Sequence, residues 1–172
     1  DGFPGMARAI LDALGLPKLA MDLKVRPWPH QLTAWESSEP VAITPTYELT
    51  TATGWHAYDA AALAAKLPWW NAALVERGGW LPFGEPNNKQ AAFGRTFFDA
   101  PTAGAYELQV GGSTSPLLVW LNGEQVYKAP RAIGFHPNGH RATVTLKAGR
   151  NELIVITNFV IFLGLAPLPA QP

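Results

Sequence analysis

The sequence predicts a mainly β protein, an antiparallel sandwich or barrel preceded by short helices. From Ala91 onward, apolar and polar residues alternate in short runs with the period of two that a half-buried strand requires. A turn signal separates each run from the next. The Asn122-Gly123 pair is the strongest of these signals, because both central residues of a type I′ turn need positive φ. No helical pattern follows Gly78, which argues against a parallel sheet built from βαβ units.

Strand-like runs follow one another at short, regular spacing through the second half of the chain. They cover residues 93–98, 106–110, 117–121, 124–128, 142–147, 151–157 and 159–165. The alternation predicts that the residues facing the core include Val119, Leu121, Val144, Leu146, Leu153 and Val155. Trp120 lies within an apolar strand, and we expect it to be buried as well.

A short helix is predicted near the start of the chain, where apolar residues recur at helical spacing between Met6 and Leu14 until Gly15 ends the pattern. Residues 1–22 are interpreted as a lid on the sandwich or the tail of a preceding domain, and residues 23–172 as the sandwich module. Because the chain starts with neither an initiator methionine nor a signal peptide, we expect it to be a piece of a larger protein.

Between the first helix and Ala91, the sequence pattern changes every few positions. Val41–Thr44 and Tyr47–Thr50 are predicted to be short edge strands divided by Pro45. Asp59 has the position of an N-cap for a helical insertion over about residues 59–77. The first half is therefore expected to add edge strands and a helical insertion to the module.

The composition excludes several classes of function. Thirteen basic residues balance thirteen acidic ones, and no basic cluster is present that could bind nucleic acid through its phosphates. The absence of cysteine excludes disulfides, thiolate metal sites and cysteine nucleophiles. No run of about 18 apolar residues is present that would predict a membrane span. A charged fraction of 15% with 48% apolar residues indicates a buried core beneath a rather neutral surface.

Catalytic and metal signals are weak. Most carboxylates of the second half lie in turns or on the polar side of strands, where they are expected to be solvated: Asp99, Glu107, Glu124 and Glu152. His136 and His140 have the i, i+4 spacing of a helical zinc site, but Pro137 and Gly139 between them prevent that helix. No cofactor is predicted. A structural calcium ion is compatible with an antiparallel sandwich, but without an Asp-x-Asp cluster no ligands can be named.

Three segments of the second half stand in a recognisable order: Phe93–Phe97, Leu118–Tyr127 with its Trp-Leu-Asn-Gly core, and Val144–Val155 with Lys-Ala-Gly-Arg-Asn. That succession resembles the galactose-binding-like jelly-roll domains attached to bacterial secreted glycoside hydrolases and related multidomain proteins, over roughly residues 90–166. The resemblance implies an antiparallel jelly-roll β-sandwich. It also implies a non-catalytic accessory module, sugar-binding or structural, in an extracellular or periplasmic protein.

Sugar recognition needs aromatic platforms for the apolar face of a pyranose, beside polar groups for its hydroxyls. Trp69, Trp70 and Trp80 flank helix ends and a loop that contains Asn87 and Asn88. Two adjacent tryptophans on a short helix cannot both point inward. A second candidate surface is the long loop after the first hairpin, with Arg131, His136, Asn138, His140 and Arg141. The alternatives are a hydrophobic plug between helix and sheet for the tryptophans, and a loop packed by its own hydrogen bonds.

Three functions stay open at this point. The first is carbohydrate binding by an accessory module. The second is a structural or assembly role, in which the tryptophans and the first helix dock against another domain or subunit, since interface cores are also depleted in charge. The third, a small hydrolase, has no motif to support it.

Overall fold

The computed structural model describes residues 9–15, 30, 32, 34–44, 46–59, 62, 81–82, 90–111, 117–129, 139–158 and 160–168. These residues include a short α-helix at 9–13, a 3₁₀ turn at Leu49–Thr51 and eleven strands. The strands are β1 (Glu36–Ser37), β2 (Val41–Ala42), β3 (His56–Ala57), β4 (Leu81–Pro82), β5 (Gln90–Ala100), β6 (Gly104–Gly111), β7 (Leu117–Leu121), β8 (Glu124–Lys128), β9 (His140–Leu146), β10 (Gly149–Thr157) and β11 (Val160–Pro167).

The strands form two sheets, and every pairing in them is antiparallel. The larger sheet has the order β3-β1-β5-β10-β7-β8, with β2 also paired to β5, and the smaller has the order β4-β11-β6-β9. From β5 to β6, from β8 to β9, and from β9 through β10 to β11, the chain crosses from one sheet to the other. This alternation between layers produces a two-sheet sandwich, which confirms the predicted fold class.

The main core lies between the two sheets. Alternate residues of β7, β10, β9 and β6 point into it, among them Val119, Val155, Val144 and Leu108, all at most 4% exposed. The six inward residues predicted from the period-two pattern all belong to this cluster. Each buried aliphatic side chain of this size contributes about 1.5–3 kcal/mol relative to exposure, so the two inner faces hold the sandwich together.

A second buried cluster lies on the outer face of the larger sheet. Phe93, Trp120, Ile154 and Ile156 form it, and residues between Val41 and Trp55 pack over it. Because β10 is central and is buried on both faces from Leu153 to Ile156, this part of its sequence is a continuous apolar run. The predicted burial of Trp120 is confirmed at 6% exposure, but the ring lies in this outer cluster instead of between the sheets.

The connection between β7 and β8 is the predicted two-residue turn. Leu121 pairs with Glu124 across it, and Asn122 and Gly123 have φ values of 52° and 87°. Both are in the left-handed region, as a type I′ turn requires. Gly123 has no Cβ to strain this geometry, and asparagine tolerates it better than most residues.

The first half of the chain departs from the sequence prediction at one place. Val41–Ala42 forms an edge strand as predicted, but the expected strand Tyr47–Thr50 is wrong, because Leu49–Thr51 turns as a 3₁₀ helix. The Thr51 hydroxyl and amide both donate to the Glu48 carbonyl, a local bond that competes with strand pairing. This turn places Tyr47 and Leu49 over the outer cluster.

Two helix predictions fall partly within the described residues. The first helix is confirmed over 9–13, and Gly15 with φ 70° follows it as the predicted terminator. The Asp59 carboxylate accepts a hydrogen bond of 2.9 Å from the Ala62 amide, which is the predicted N-cap contact. Most of the helical insertion over 59–77 lies outside the described residues.

Candidate functional site

Most of the site residues predicted from sequence lie outside the described residues. These are Trp69, Trp70, Trp80, Asn87, Asn88, Arg131, His136 and Asn138. Of the predicted set, Arg141 and His140 are described: Arg141 is exposed on β9 and paired with Gln109, and His140 is half-buried at the start of β9 and paired with Val110. Its ring meets the Tyr127 ring edge-on, with centroids 6.1 Å apart. The predicted grouping of tryptophans with a polar loop therefore stays a prediction.

Tyr127 lies next to His140 at the edge of the sandwich. Its pKa is raised because burial disfavours the phenolate. Its hydroxyl is buried, and no described residue accepts a hydrogen bond from it. Over the described ranges, no group of three histidine or carboxylate side chains could hold a metal ion. The His140–Tyr127 contact is thus a packing contact at the edge between β8 and β9.

The outer face of β5 carries a column of alternating aromatic rings and guanidinium groups. The Arg95 guanidinium carbon lies 4.2 Å from the Trp55 ring centroid and 5.3 Å from that of Phe97. The Arg150 guanidinium carbon lies 4.1 Å from the same Phe97 centroid. All three distances are within the range of cation–π attraction. Strand register explains the column, because Arg95 and Phe97 share a face and Arg150 comes from the neighbouring strand β10.

The two arginines of the column differ in charge compensation. Both Nε and Nη2 of Arg95 contact one carboxylate oxygen of Glu36, at 2.7 and 2.6 Å. Glu36 is brought there by the pairing of β1 with β5, in which it faces Arg95 directly. Arg150 faces Asp99 across the strands, but no described carboxylate comes within 4 Å of its guanidinium nitrogens. Among the described carboxylates, none therefore forms an ion pair with the guanidinium at the Arg150 end of the column.

A shallow depression of about 300 Å³ opens at that end of the column. It is lined by Phe97, Asn122, Lys147, Arg150, Asn151 and Glu152. Its volume is at the lower limit of typical ligand sites. Phe97 is 38% exposed, an unusual exposure for a phenylalanine on a sheet. The depression thus combines an exposed ring with ammonium, guanidinium, carboxylate and amide groups.

Two asparagines make the floor of this depression rigid. Asn151, which is 1% exposed, uses its whole amide: Oδ1 accepts from the Lys147 amide and from Asn122 Nδ2, and Nδ2 donates to the Lys147 and Gly149 carbonyls. Asn122 Oδ1 in turn accepts from the Glu152 amide at 3.1 Å. The groups left for a ligand are consequently the side chains of Lys147, Arg150 and Glu152, the second N–H of the exposed Asn122 amide, and the exposed part of the Phe97 ring.

Sequence reasoning missed this site. The alternation of Phe93, Arg95 and Phe97 was visible and correctly predicted a strand, but a single strand does not show which residue will face it. Arg150 is some fifty positions away along the chain, and only the β5–β10 register brings it to Phe97. Glu152, expected to be a solvated surface carboxylate, is the half-buried cross-strand partner of Phe97.

No protein-family model matches the chain, and no curated protein matches it. Among solved structures, it is similar to a family 35 carbohydrate binding module from Clostridium thermocellum, 12% identical over 78% of this chain and 92% of that chain, with a TM-score of 0.38. It is similar to the Podospora anserina GH26-CBM35 β-(1,4)-mannanase at 19% identity over 47% of this chain and 20% of that chain, with a TM-score of 0.37.

A third similar structure is the PA14 sugar-binding domain of an RTX adhesin, at 12% identity over 78% of this chain and 89% of that chain, with a TM-score of 0.33. The match thus spans about a fifth of the mannanase and most of the two single modules. Every TM-score among these three is below 0.5, so function has to be argued from the residues.

Proposed function

We propose that this chain is a non-catalytic carbohydrate-binding module that contacts its glycan at the depression beside Phe97. The observation that carries the proposal is the exposed part of the Phe97 ring next to Lys147, Arg150 and Glu152 over a floor fixed by Asn151. A pyranose offers C–H groups for an aromatic ring and hydroxyls for donors and acceptors. A rigid floor lowers the entropy lost when the ligand binds.

The carboxylates favour binding over hydrolysis. A glycosidase needs two carboxyl groups about 5–9.5 Å apart across the scissile bond. Glu152 is the one carboxylate among the described residues that line the depression, and Asp99, which faces Arg150 on the neighbouring strand, is not part of that lining. Of the other described carboxylates, Glu36 is paired with Arg95, and Glu107 lies 3.4 Å from Arg141 on the smaller sheet. We therefore propose that the module holds a glycan and leaves its bonds intact.

The proposal includes a larger, extracellular or periplasmic parent protein, with residues 23–172 as the glycan-binding unit. Among the helical residues that the structure describes, no helix is long and apolar enough to cross a membrane. Trp69, Trp70, Trp80, Asn87 and Asn88, which lie outside the described residues, are proposed as a second contact. Replacing an exposed tryptophan there by alanine would remove glycan binding and leave the fold intact. If all three tryptophan variants simply unfold, these rings are core or interface.

The binding test is calorimetric titration of a panel of soluble neutral and acidic oligosaccharides. We expect at least one glycan to bind the wild type, and Phe97→Ala to weaken it about tenfold, the upper end of an aromatic contact. Thr145→Ala is the control, because Thr145 is exposed on β9 of the other sheet. Unaltered binding by Phe97→Ala would place the contact elsewhere, and a panel without a single binder would contradict the function.

An assembly role is the second candidate, favoured by the helix at 9–13. Ile10 and Leu14 lie one helical turn apart and are 53% and 66% exposed, an apolar stripe without cover among the described residues. Sedimentation of the wild type and of Leu14→Glu tests this role. Self-association that Leu14→Glu abolishes, together with a glycan panel that shows no binding, would favour assembly over carbohydrate binding.

A further inference from the structure

The end of the aromatic–guanidinium column that faces the depression is a guanidinium group. Arg95 precedes Phe97 on β5, and Arg150 faces Asp99 beyond it, so the Phe97 ring lies between the two guanidinium groups. A ligand in the depression therefore meets the exposed part of the ring and the guanidinium of Arg150. Stacking on the ring restricts the rotamers of Arg150, so less conformational entropy remains to be lost when its N–H groups bind.

The described side chains that line the depression carry a net charge of +1. Of the described residues that line it, two are cations, Lys147 and Arg150, and one is a carboxylate, Glu152, which gives 2 − 1 = +1. The third nearby cation, Arg95, is neutralised by Glu36 at 2.6 Å. Asp99, the cross-strand partner of Arg150, forms no ion pair with it within 4 Å. The site therefore attracts one anionic group and retains Glu152 as an acceptor for hydroxyls.

From this geometry we infer that the depression selects an acidic saccharide, whose carboxylate or sulfate lies between Arg150 and Lys147; the inference rests on the proposed function of the same site. A guanidinium presents two parallel N–H donors that match the oxygens of either anion, and Lys147 adds a second charge. Phe97 supplies an apolar surface for van der Waals contact with the sugar, and Glu152 accepts from its hydroxyls. Carboxylated and sulfated sugars share this chemistry, and they differ in the number of oxygens presented.

The experiment titrates three oligosaccharides of matched length into the wild type: one neutral, one containing uronic acid and one sulfated. We expect an acidic member to bind at least about tenfold more tightly than the neutral one, because hydrogen bonds to charged groups contribute more than neutral ones. The preference is expected to decrease as salt is raised. The stronger of the two acidic ligands identifies the source of the anion.

Variants assign the preference to the two cations. Arg150→Gln and Lys147→Gln are each expected to lose most of the acidic preference, measured as the ratio of the acidic to the neutral affinity. Arg150→Lys keeps the charge without the paired donors and is expected to lie between wild type and Arg150→Gln. Lys128→Gln is the control, since Lys128 is an exposed cation on β8 of the same sheet, away from the depression. Thermal melting of each variant confirms that the fold is retained.

Three outcomes would overturn the inference in distinguishable ways. Equal affinity for neutral and acidic sugars would reject acid selection and leave glycan binding in place. An acidic preference that survives in Arg150→Gln and Lys147→Gln would place the anion elsewhere on the module. Binding of none of the three sugars would contradict both the inference and the proposed function.

Discussion

The side chains of Asn122 and Asn151 are joined by a hydrogen bond of 2.9 Å from Nδ2 to Oδ1, which ties the β7–β8 turn to the β9–β10 turn. A backbone hydrogen bond reinforces this link, because the Asn122 amide donates to the Glu152 carbonyl at 2.8 Å. The two asparagines belong to the two hairpin motifs that carry the resemblance to galactose-binding-like domains. In this chain, both residues therefore have a structural explanation, and they also form the floor of the proposed site.

Asn151→Ala is expected to destabilise the fold by about 2–4 kcal/mol, because it removes four hydrogen bonds from a buried amide. Urea unfolding measures the loss. A double-mutant cycle with Asn122→Ala should give a coupling of about 1 kcal/mol for the shared bond. Additive losses in the double variant would show that the two turns are energetically independent.

Gly123→Val is expected to destabilise by about 1–2 kcal/mol, because a β-branched residue resists the φ of 87°. The matched control is Gly104→Ala, since Gly104 lacks a positive φ and a Cβ there would meet no atom within 4 Å. Thermal denaturation compares the two variants with the wild type. A valine variant as stable as wild type would mean that the turn relaxes to another type.

Trp120→Ala is expected to cost about 3–5 kcal/mol, as for a large buried aromatic side chain. The loss arises in the outer cluster, where the ring centroid lies 6.1 Å from that of Phe93. Chemical denaturation gives the magnitude. Ser37 is a buried residue of β1 and offers no large apolar area, so Ser37→Ala serves as a buried control with a small expected effect. A loss below about 1 kcal/mol in Trp120→Ala would contradict the packing of this cluster.

Stability is expected to fall as the pH rises above about 10, the ordinary pKa of tyrosine. The pKa of Tyr58 is raised, first by burial and then by the charge of Asp59. The unfolded tyrosine therefore ionises while the folded one keeps its proton, and stability present below the ordinary pKa is lost above it. The free energy of unfolding of Tyr58→Phe should decrease less steeply than that of the wild type between pH 8 and 11. Each protein's free energy of unfolding at pH 7 is the baseline. An unchanged slope would exclude Tyr58 as a source of alkaline sensitivity.

The sequence predicted the sandwich well because its signals are local. Alternation along a strand determines which residues face the core, as for Val144 and Leu146, and an Asn-Gly pair determines a turn within four residues. The prediction of a strand at Tyr47–Thr50 was wrong, because a short apolar–polar alternation does not distinguish an edge strand from a 3₁₀ turn that covers a second cluster.

The candidate site could not be predicted in the same way, because it depends on register between distant strands. The sequence shows that residue 97 is aromatic, but it does not show which residues of another strand lie beside it. The contact of Phe97 with Arg150 exists only because β10 pairs with β5. The amide chemistry of Asn122 and Asn151 was likewise visible as two separate turn residues, but their contact required the three-dimensional pairing of two hairpins. Charge compensation, which distinguishes Arg95 from Arg150, also requires the position of Glu36 on a third strand.

The most direct test of the proposed function is an NMR titration of the uniformly ¹⁵N-labelled protein with the oligosaccharide panel. The side-chain amides of Asn122 and Asn151 and the backbone amide of Glu152 form the floor of the depression and report on its occupancy. Glycan binding beside Phe97 predicts saturable shifts of these three signals, with Thr145 on the opposite sheet unchanged. Titrations that leave all three signals in place, whether or not other residues shift, would contradict the assignment of carbohydrate binding to this site.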